Sequence, residues 1–133
     1  MILSILALIG LAIPNTTYSD DNKSAAFLNP LESLSDNPTT AQIKLAITFV
    51  ANKYGLKEAG FYKLIECESQ FLHKDQWGDN YKAYGILQYH KDTFLENCAG
   101  DYYSAKDQLT CGAEMIKKGM GRRWTCIWAY LKS

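Results

Sequence analysis

Glu58-Ala59-Gly60-Phe61-Tyr62-Lys63-Leu64-Ile65-Glu66-Cys67-Glu68-Ser69-Gln70-Phe71 has the periodicity of a helix, not of a strand. Phe61, Leu64, Ile65 and Glu68 recur at spacings of three and four, so they share one face of a helix covering about Glu58 to Ser69. Phe71, three residues beyond Glu68, is expected to continue that apolar side. A carboxyl on an apolar face is desolvated, which disfavours its charged form and raises its pKa. A raised pKa lets it hold a proton near neutral pH, as a general acid must. Glu68 is therefore the first candidate for chemistry. Its neighbour Glu66 points roughly the opposite way and reads as a solvated surface charge. The competing reading of Glu68 is a carboxylate at a helix end, bonded to local backbone N–H groups.

The flanking sequence is helical as well. Upstream, Thr39-x-x-Gln42 has the form of a capping box. Ile43, Ala46, Ile47, Val50 and Tyr54 follow at helical spacing until Gly55 ends the run. Downstream, the polar segment from His73 to Lys82 contains Gly78 and reads as a loop or short hairpin. Tyr84 to Gln88 is mostly apolar and compact. A third helix is expected from about Lys91 to Cys98. A fourth opens at Ser104-x-x-Asp107, with Leu109, Gly112, Ala113, Ile116 and Met120 on one face and Gly119 and Gly121 at its end. A last helix is expected over about Trp124 to Leu131. Val, Ile and Thr nowhere alternate at period two over a useful length. The expected class is all-α or mainly helical, with room for a small β-hairpin.

Ile2 to Ile13 is an unbroken run of apolar and small residues, followed by Pro14 and a polar stretch. It is short of the roughly 20 residues that span a bilayer comfortably. Its length fits the apolar core of an export signal, and Thr17-Tyr18-Ser19 gives a small-x-small cleavage site. No Lys or Arg precedes the run, so the free amino terminus alone supplies positive charge. Residues 1–19 are thus expected to be a signal peptide or an N-terminal anchor. Residues 20–36 are polar and read as a linker, and the domain proper is expected over residues 37–133. Export agrees with the cysteines. Cys67, Cys98, Cys111 and Cys126 are even in number and contain no C-x-x-C pair of the kind zinc sites usually carry. Two disulfides are expected in an oxidising compartment, and no metal. Three pairings are open. The favoured one joins Cys98 to Cys111, closing a short loop between two helices, and Cys67 to Cys126, tying the last helix to the one that carries Glu68.

The chain of 133 residues is 47% hydrophobic, enough to bury the core of one domain and unlike a disordered composition. Its formal net charge is zero, which offers no signal for nucleic acid or a membrane surface. A membrane contact is expected only through an uncleaved N-terminus. With four of the 14 acidic and one of the 14 basic residues lying before it, the part from Asn37 onward holds 13 basic and 10 acidic residues, a net of +3. That excess is small, though it suits an anionic polymer.

Glu68-Ser69-Gln70-Phe71, followed by Tyr84-Gly85-Ile86-Leu87-Gln88, resembles the paired signature motifs of soluble lytic transglycosylases. The intervening Trp77-Gly78-Asp79 is similar to a segment of goose-type lysozymes. The resemblance spans about Ile43 to Trp128. It implies a lysozyme-like fold and cleavage of the β-1,4 bond between N-acetylmuramic acid and N-acetylglucosamine in bacterial peptidoglycan, by a monomer without a cofactor. By position, Glu68 matches the acid that protonates the glycosidic oxygen, and Ser69 a residue that buttresses the site. Gly85 matches a close approach of backbone to sugar, Gln88 the glutamine that lines the cleft, and Tyr84 an aromatic wall.

Asp79 bears on mechanism. In goose-type enzymes the matching aspartate helps position or activate a water. An inverting hydrolase needs a second carboxylate, roughly 6.5–9.5 Å from the acid. A lytic transglycosylase needs none, because the substrate's own N-acetyl group or 6-hydroxyl completes the reaction. The chain departs from the goose-type pattern at His90, where a further aspartate is expected. Asp79 reads equally well as a loop residue in an Asx-type turn with Asn80 and Tyr81. Nine tyrosines and three tryptophans provide rings for stacking on sugars. Of Tyr102, Tyr103, Trp124, Trp128 and Tyr130, one or two are expected in the cleft and the others in the core. Lys117, Lys118, Arg122 and Arg123 form a basic group. It reads mainly as charge suited to a helix end, with contact to an acidic wall polymer as the alternative.

Overall fold

The computed structural model describes residues 29–133. The expected signal segment, and residues 20–28 of the expected linker, lie outside the described residues.

Among the described residues there are five α-helices and a three-stranded antiparallel sheet of very short strands. Helix α1 (Thr40–Tyr54) begins at the expected capping box: the Thr39 hydroxyl accepts the Gln42 N–H, and the Gln42 side chain accepts the Thr39 N–H. It ends at Gly55, whose φ of 67° suits a residue without a Cβ. Helix α2 (Glu58–Ser69) buries Phe61, Leu64 and Ile65. α1 packs on α2 and on α4 (Ala105–Lys117), while α2 packs on α5 (Ile127–Leu131). At the α2–α5 contact Gly60 lies so close to Tyr130 that a Cβ would meet its ring at 2.8 Å.

Phe71 does not continue the face of α2. The helix stops at Ser69, and Gln70 and Phe71 both take left-handed backbone, at φ 53° and 61°. The chain reverses there, and the Phe71 ring returns to the core against Tyr62, 4.6 Å away between centroids.

The expected hairpin has a third strand. β1 (Trp77–Gly78), β2 (Ala83–Tyr84) and β3 (Tyr89–His90) pair in register, Trp77 with Tyr84, Ala83 with His90, and Tyr84 with Tyr89. Each strand is two residues long, too short for period-two alternation to show. α3 (Lys91–Asn97) follows directly. Ser104 caps α4 as expected, accepting the Asp107 N–H.

The final helix begins at Ile127 rather than Trp124. Trp124 is buried in an extended conformation, and its indole N–H donates to the Leu87 carbonyl at 2.8 Å. That inward anchor delays the helix, and a 3-10 turn (Gly121–Arg123) precedes it. Residues 29–36 are docked on the domain. Leu31 is buried in the core, and Glu32 pairs with Lys106 at 2.7 Å.

Both disulfides have the favoured pairing. Cys67–Cys126 joins α2 to the start of α5, and Cys98–Cys111 joins the end of α3 to α4. Among the described residues no helix is long and apolar enough to cross a membrane.

One buried polar side chain holds the loop between β2 and β3. Gln108 of α4 accepts the Leu87 N–H and donates to the Tyr84 and Tyr102 carbonyls, at 3.2, 3.1 and 2.8 Å. Gln108→Met keeps the volume and removes all three bonds. Each buried backbone group left unpaired costs about 1–3 kcal/mol, so the variant should lose about 3 kcal/mol or more of unfolding free energy in a urea titration. A loss under about 1 kcal/mol would mean that other groups replace the amide.

Candidate active site

Glu68 lies in the last turn of α2, where three parts of the chain meet around a cleft of about 370 Å³. The sheet region contributes Asp79, Ala83, Gln88 and His90, and the turn before α5 contributes Arg123, Trp124 and Thr125. The Glu68 carboxyl is half-buried, and its Oε1 accepts the backbone N–H of Cys126 at 3.1 Å. Burial pushes its pKa above the ordinary value, and the Cys126 hydrogen bond pulls it part of the way back. The reading as a desolvated carboxyl holds, whereas the competing one, bonds to local backbone N–H groups at the helix end, does not. It is a desolvated acid, and it also takes a backbone N–H, from the disulfide-tethered Cys126 rather than from its own helix end. Glu66 is exposed, as expected of a surface charge.

Asp79 and His90 form a pair. His90 Nε2 lies 3.0 Å from Asp79 Oδ2, with both side chains about half exposed. Asp79, Asn80 and Tyr81 all have left-handed backbone, at φ 48°, 54° and 65°. This tight β1–β2 connection turns Asp79 toward the third strand, where His90 stands opposite Ala83. The departure at His90 and the isolated Asp79 of the sequence are thus one unit. Both residues line the cleft, and the carboxylate on one ring nitrogen orients the imidazole there.

Gln88 is half-buried and lines the same cleft, at φ 47°. Its amide donates to the Gln76 and Gly85 carbonyls, at 3.2 and 2.8 Å. The side chain lies directly over Gly78, and a Cβ there would require the Gln88 amide to shift.

Three other candidate residues lie behind the cleft rather than on it. Ser69 is buried, and its hydroxyl donates to the Ile65 carbonyl at 3.2 Å, within its own helix. Tyr84 is buried in an aromatic cluster, with ring centroids of Trp77, Tyr103 and His73 at 4.7, 5.1 and 5.4 Å. The aromatic that borders the cleft is Trp124. Gly85, at φ 82°, faces inward. A Cβ there would meet the Gln108 amide at 2.6 Å and the His73 ring at 2.9 Å. Internal packing accounts for this glycine without any approach to a sugar.

The sequence reading placed His73 in a polar loop, yet the residue is buried and structural. Its Nδ1 accepts the Ile86 N–H at 3.2 Å, so Nε2 carries the hydrogen donated to the Tyr103 carbonyl at 2.7 Å. Burial is the main cause of its lowered pKa. A neutral ring suits this pair of bonds. Arg123 and Thr125 carried no local signal for the cleft, since only the turn before α5 brings them there. Among the described residues no group of three His, Cys, Asp or Glu side chains is placed to hold a metal ion.

The raised pKa of Glu68 has a consequence for stability. A carboxyl that binds its proton more tightly when folded contributes stability fully below the ordinary value of 4.5, and that contribution is lost as pH rises through the raised value. Glu68→Gln cannot ionise. Relative to the unsubstituted chain, it should gain stability as pH rises from below 4.5 to neutrality. Denaturant titrations of both proteins across that range check this, and parallel curves would rule out a desolvated acid.

Comparison with family models, with curated proteins and with solved structures finds no match to this chain.

Proposed function

We propose that the chain is an exported enzyme of the lysozyme-like superfamily that cleaves the glycan strands of peptidoglycan, at the β-1,4 bond between N-acetylmuramic acid and N-acetylglucosamine. The observation that carries this reading is the half-buried Glu68 carboxyl, with raised proton affinity, on the wall of a cleft it shares with Gln88 and Asp79. The motif order supplies the substrate. The two disulfides are compatible with export.

In this mechanism Glu68 gives its proton to the glycosidic oxygen. The C1–O bond breaks, the leaving sugar departs as an alcohol, and positive charge develops at C1 of the muramic residue. Two endings balance. In the first, water adds to C1, its proton passes to the Asp79–His90 pair, and a reducing end results. In the second, the muramic 6-hydroxyl closes on C1, its proton returns to Glu68, and a 1,6-anhydro end results. The second needs no group opposite Glu68.

A non-catalytic glycan-binding module is the other class of reading. It fits an exposed Glu68 remote from any cleft, and the carboxyl here is half-buried within one.

Glu68→Gln keeps the shape and the hydrogen bond from Cys126 but has no proton to give. It should fold normally by circular dichroism and lose at least about a hundredfold in clearing purified peptidoglycan. Undiminished clearing by the variant would falsify the assignment of the acid. Mass spectrometry of the digest separates the endings: anhydro-muramic products mean transglycosylase, reducing ends mean hydrolase.

A further inference from the structure

Two hollows meet at Arg123. One is the Glu68 cleft. The other, of about 240 Å³, shares Gln88, His90, Arg123 and Trp124 with it and continues to Tyr89 and Thr93. The groove therefore runs from Glu68, past the shared residues Gln88, His90, Arg123 and Trp124, to the first turn of α3.

The polar groups of this extension are one-sided. They are the guanidinium of Arg123, the imidazole of His90, the amide of Gln88 and the hydroxyl of Thr93, with no carboxylate, while the Tyr89 hydroxyl turns away into the core toward Met115. Asp79 borders only the Glu68 side, where it engages His90. Arg123 is exposed, and among the described residues its guanidinium takes part in neither the Lys106–Glu32 ion pair nor the His90–Asp79 contact. Its basic neighbours differ in placement. Arg122 borders a separate hollow beside Ile127, and Lys117 and Lys118 border neither half of the groove. A planar guanidinium with five donors matches a carboxylate in two-point contact.

We infer that the extension beyond Arg123 is a carboxylate-binding subsite, in which Arg123 takes an acid group carried by the glycan strand. The inference rests on the enzymatic reading above for the identity of the strand. Peptidoglycan offers that chemistry from two sources: the lactyl acid of muramic acid where the peptide has been removed, and the carboxylates of the peptide stem where it is present.

Binding to the full-length chain carrying Glu68→Gln, in which cleavage is suppressed, tests the subsite by calorimetry with three soluble probes. These are strands with intact stems, strands freed of stems by an amidase, and such freed strands with the lactyl acid converted to its methylamide. Adding Arg123→Gln should weaken at least one acidic probe about tenfold, the scale of one charge-assisted contact. The neutral probe should change less than about twofold on the same scale. Weakening confined to the stem-bearing strands assigns the acid to the peptide, and weakening of the freed strands assigns it to the lactyl group. An equal change on all three probes, no change on either acidic probe, or no binding of either acidic probe overturns the subsite. Cleavage by the unsubstituted chain is scored separately. Binding through Arg123 without cleavage keeps the subsite and removes the enzyme, whereas cleavage indifferent to Arg123 does the reverse.

Discussion

The Cys67–Cys126 bond is the constraint on which the site depends. It joins residues 59 positions apart and fixes the start of α5 against the last turn of α2. In the chain-entropy picture, closing a loop of that length removes about 4 kcal/mol of freedom from the unfolded chain. Its local effect is more specific. Cys67 precedes Glu68, and Cys126 is the residue whose N–H meets the Glu68 carboxyl. One covalent link therefore holds both the acid and its donor. The same tether carries Arg123, Trp124 and Thr125 to the far wall of the cleft.

The opposite wall is held by hydrogen bonds from buried side chains to backbone. Between Tyr84 and His90 the chain has too little regular structure to satisfy its own polar groups. Gln108 takes the Tyr84 carbonyl and the Leu87 N–H, His73 takes the Ile86 N–H, and Trp124 takes the Leu87 carbonyl. Gly85 leaves the room that lets Gln108 and His73 come this close. A loop pinned by α4, by the segment after α2 and by the turn before α5 cannot shift without breaking buried bonds. Gln88 and the third strand follow from it, and so does the position of His90.

Much of the helical frame was legible because helices declare themselves locally. Thr39 and Gln42 mark the start of α1, Gly55 marks its end, and Phe61, Leu64 and Ile65 show which side of α2 is buried. Placing Cys67 on the helix of Glu68 and Cys126 on the last helix was enough to favour their pairing. What escaped was set by tertiary contact. The left-handed residues at Gln70, Phe71 and Gln88 are not of the Gly, Asn or Asp types that favour such backbone, so nothing local announces their turns, whereas Asp79 and Asn80 carried a turn signal. Strands of two residues have no period. Trp124 reads as a helix opener until Leu87 offers it a carbonyl. At the site, Glu68, Gln88 and Asp79 were legible as borders of one cleft, whereas Tyr84, Gly85 and Ser69 had motif positions and lie behind it. The Asp79–His90 pair, residues 11 positions apart, needed the sheet register to appear.

The donor that meets Glu68 is a peptide N–H, and this separates its inheritance from its sequence. Any amino acid except proline presents the same group, but at position 126 only cysteine also keeps the bond to Cys67 that holds that group in place. Drift in side chains other than Cys67 and Cys126 therefore leaves this influence on the acid untouched while the backbone holds its course. The other influence, burial, is shared among many neighbours, each of which can change a little. The acid's proton affinity is thus built from one component that substitution outside the Cys67–Cys126 pair scarcely touches and one that it can adjust in small steps. Such a site can be retuned to a more acidic or more neutral setting without being dismantled.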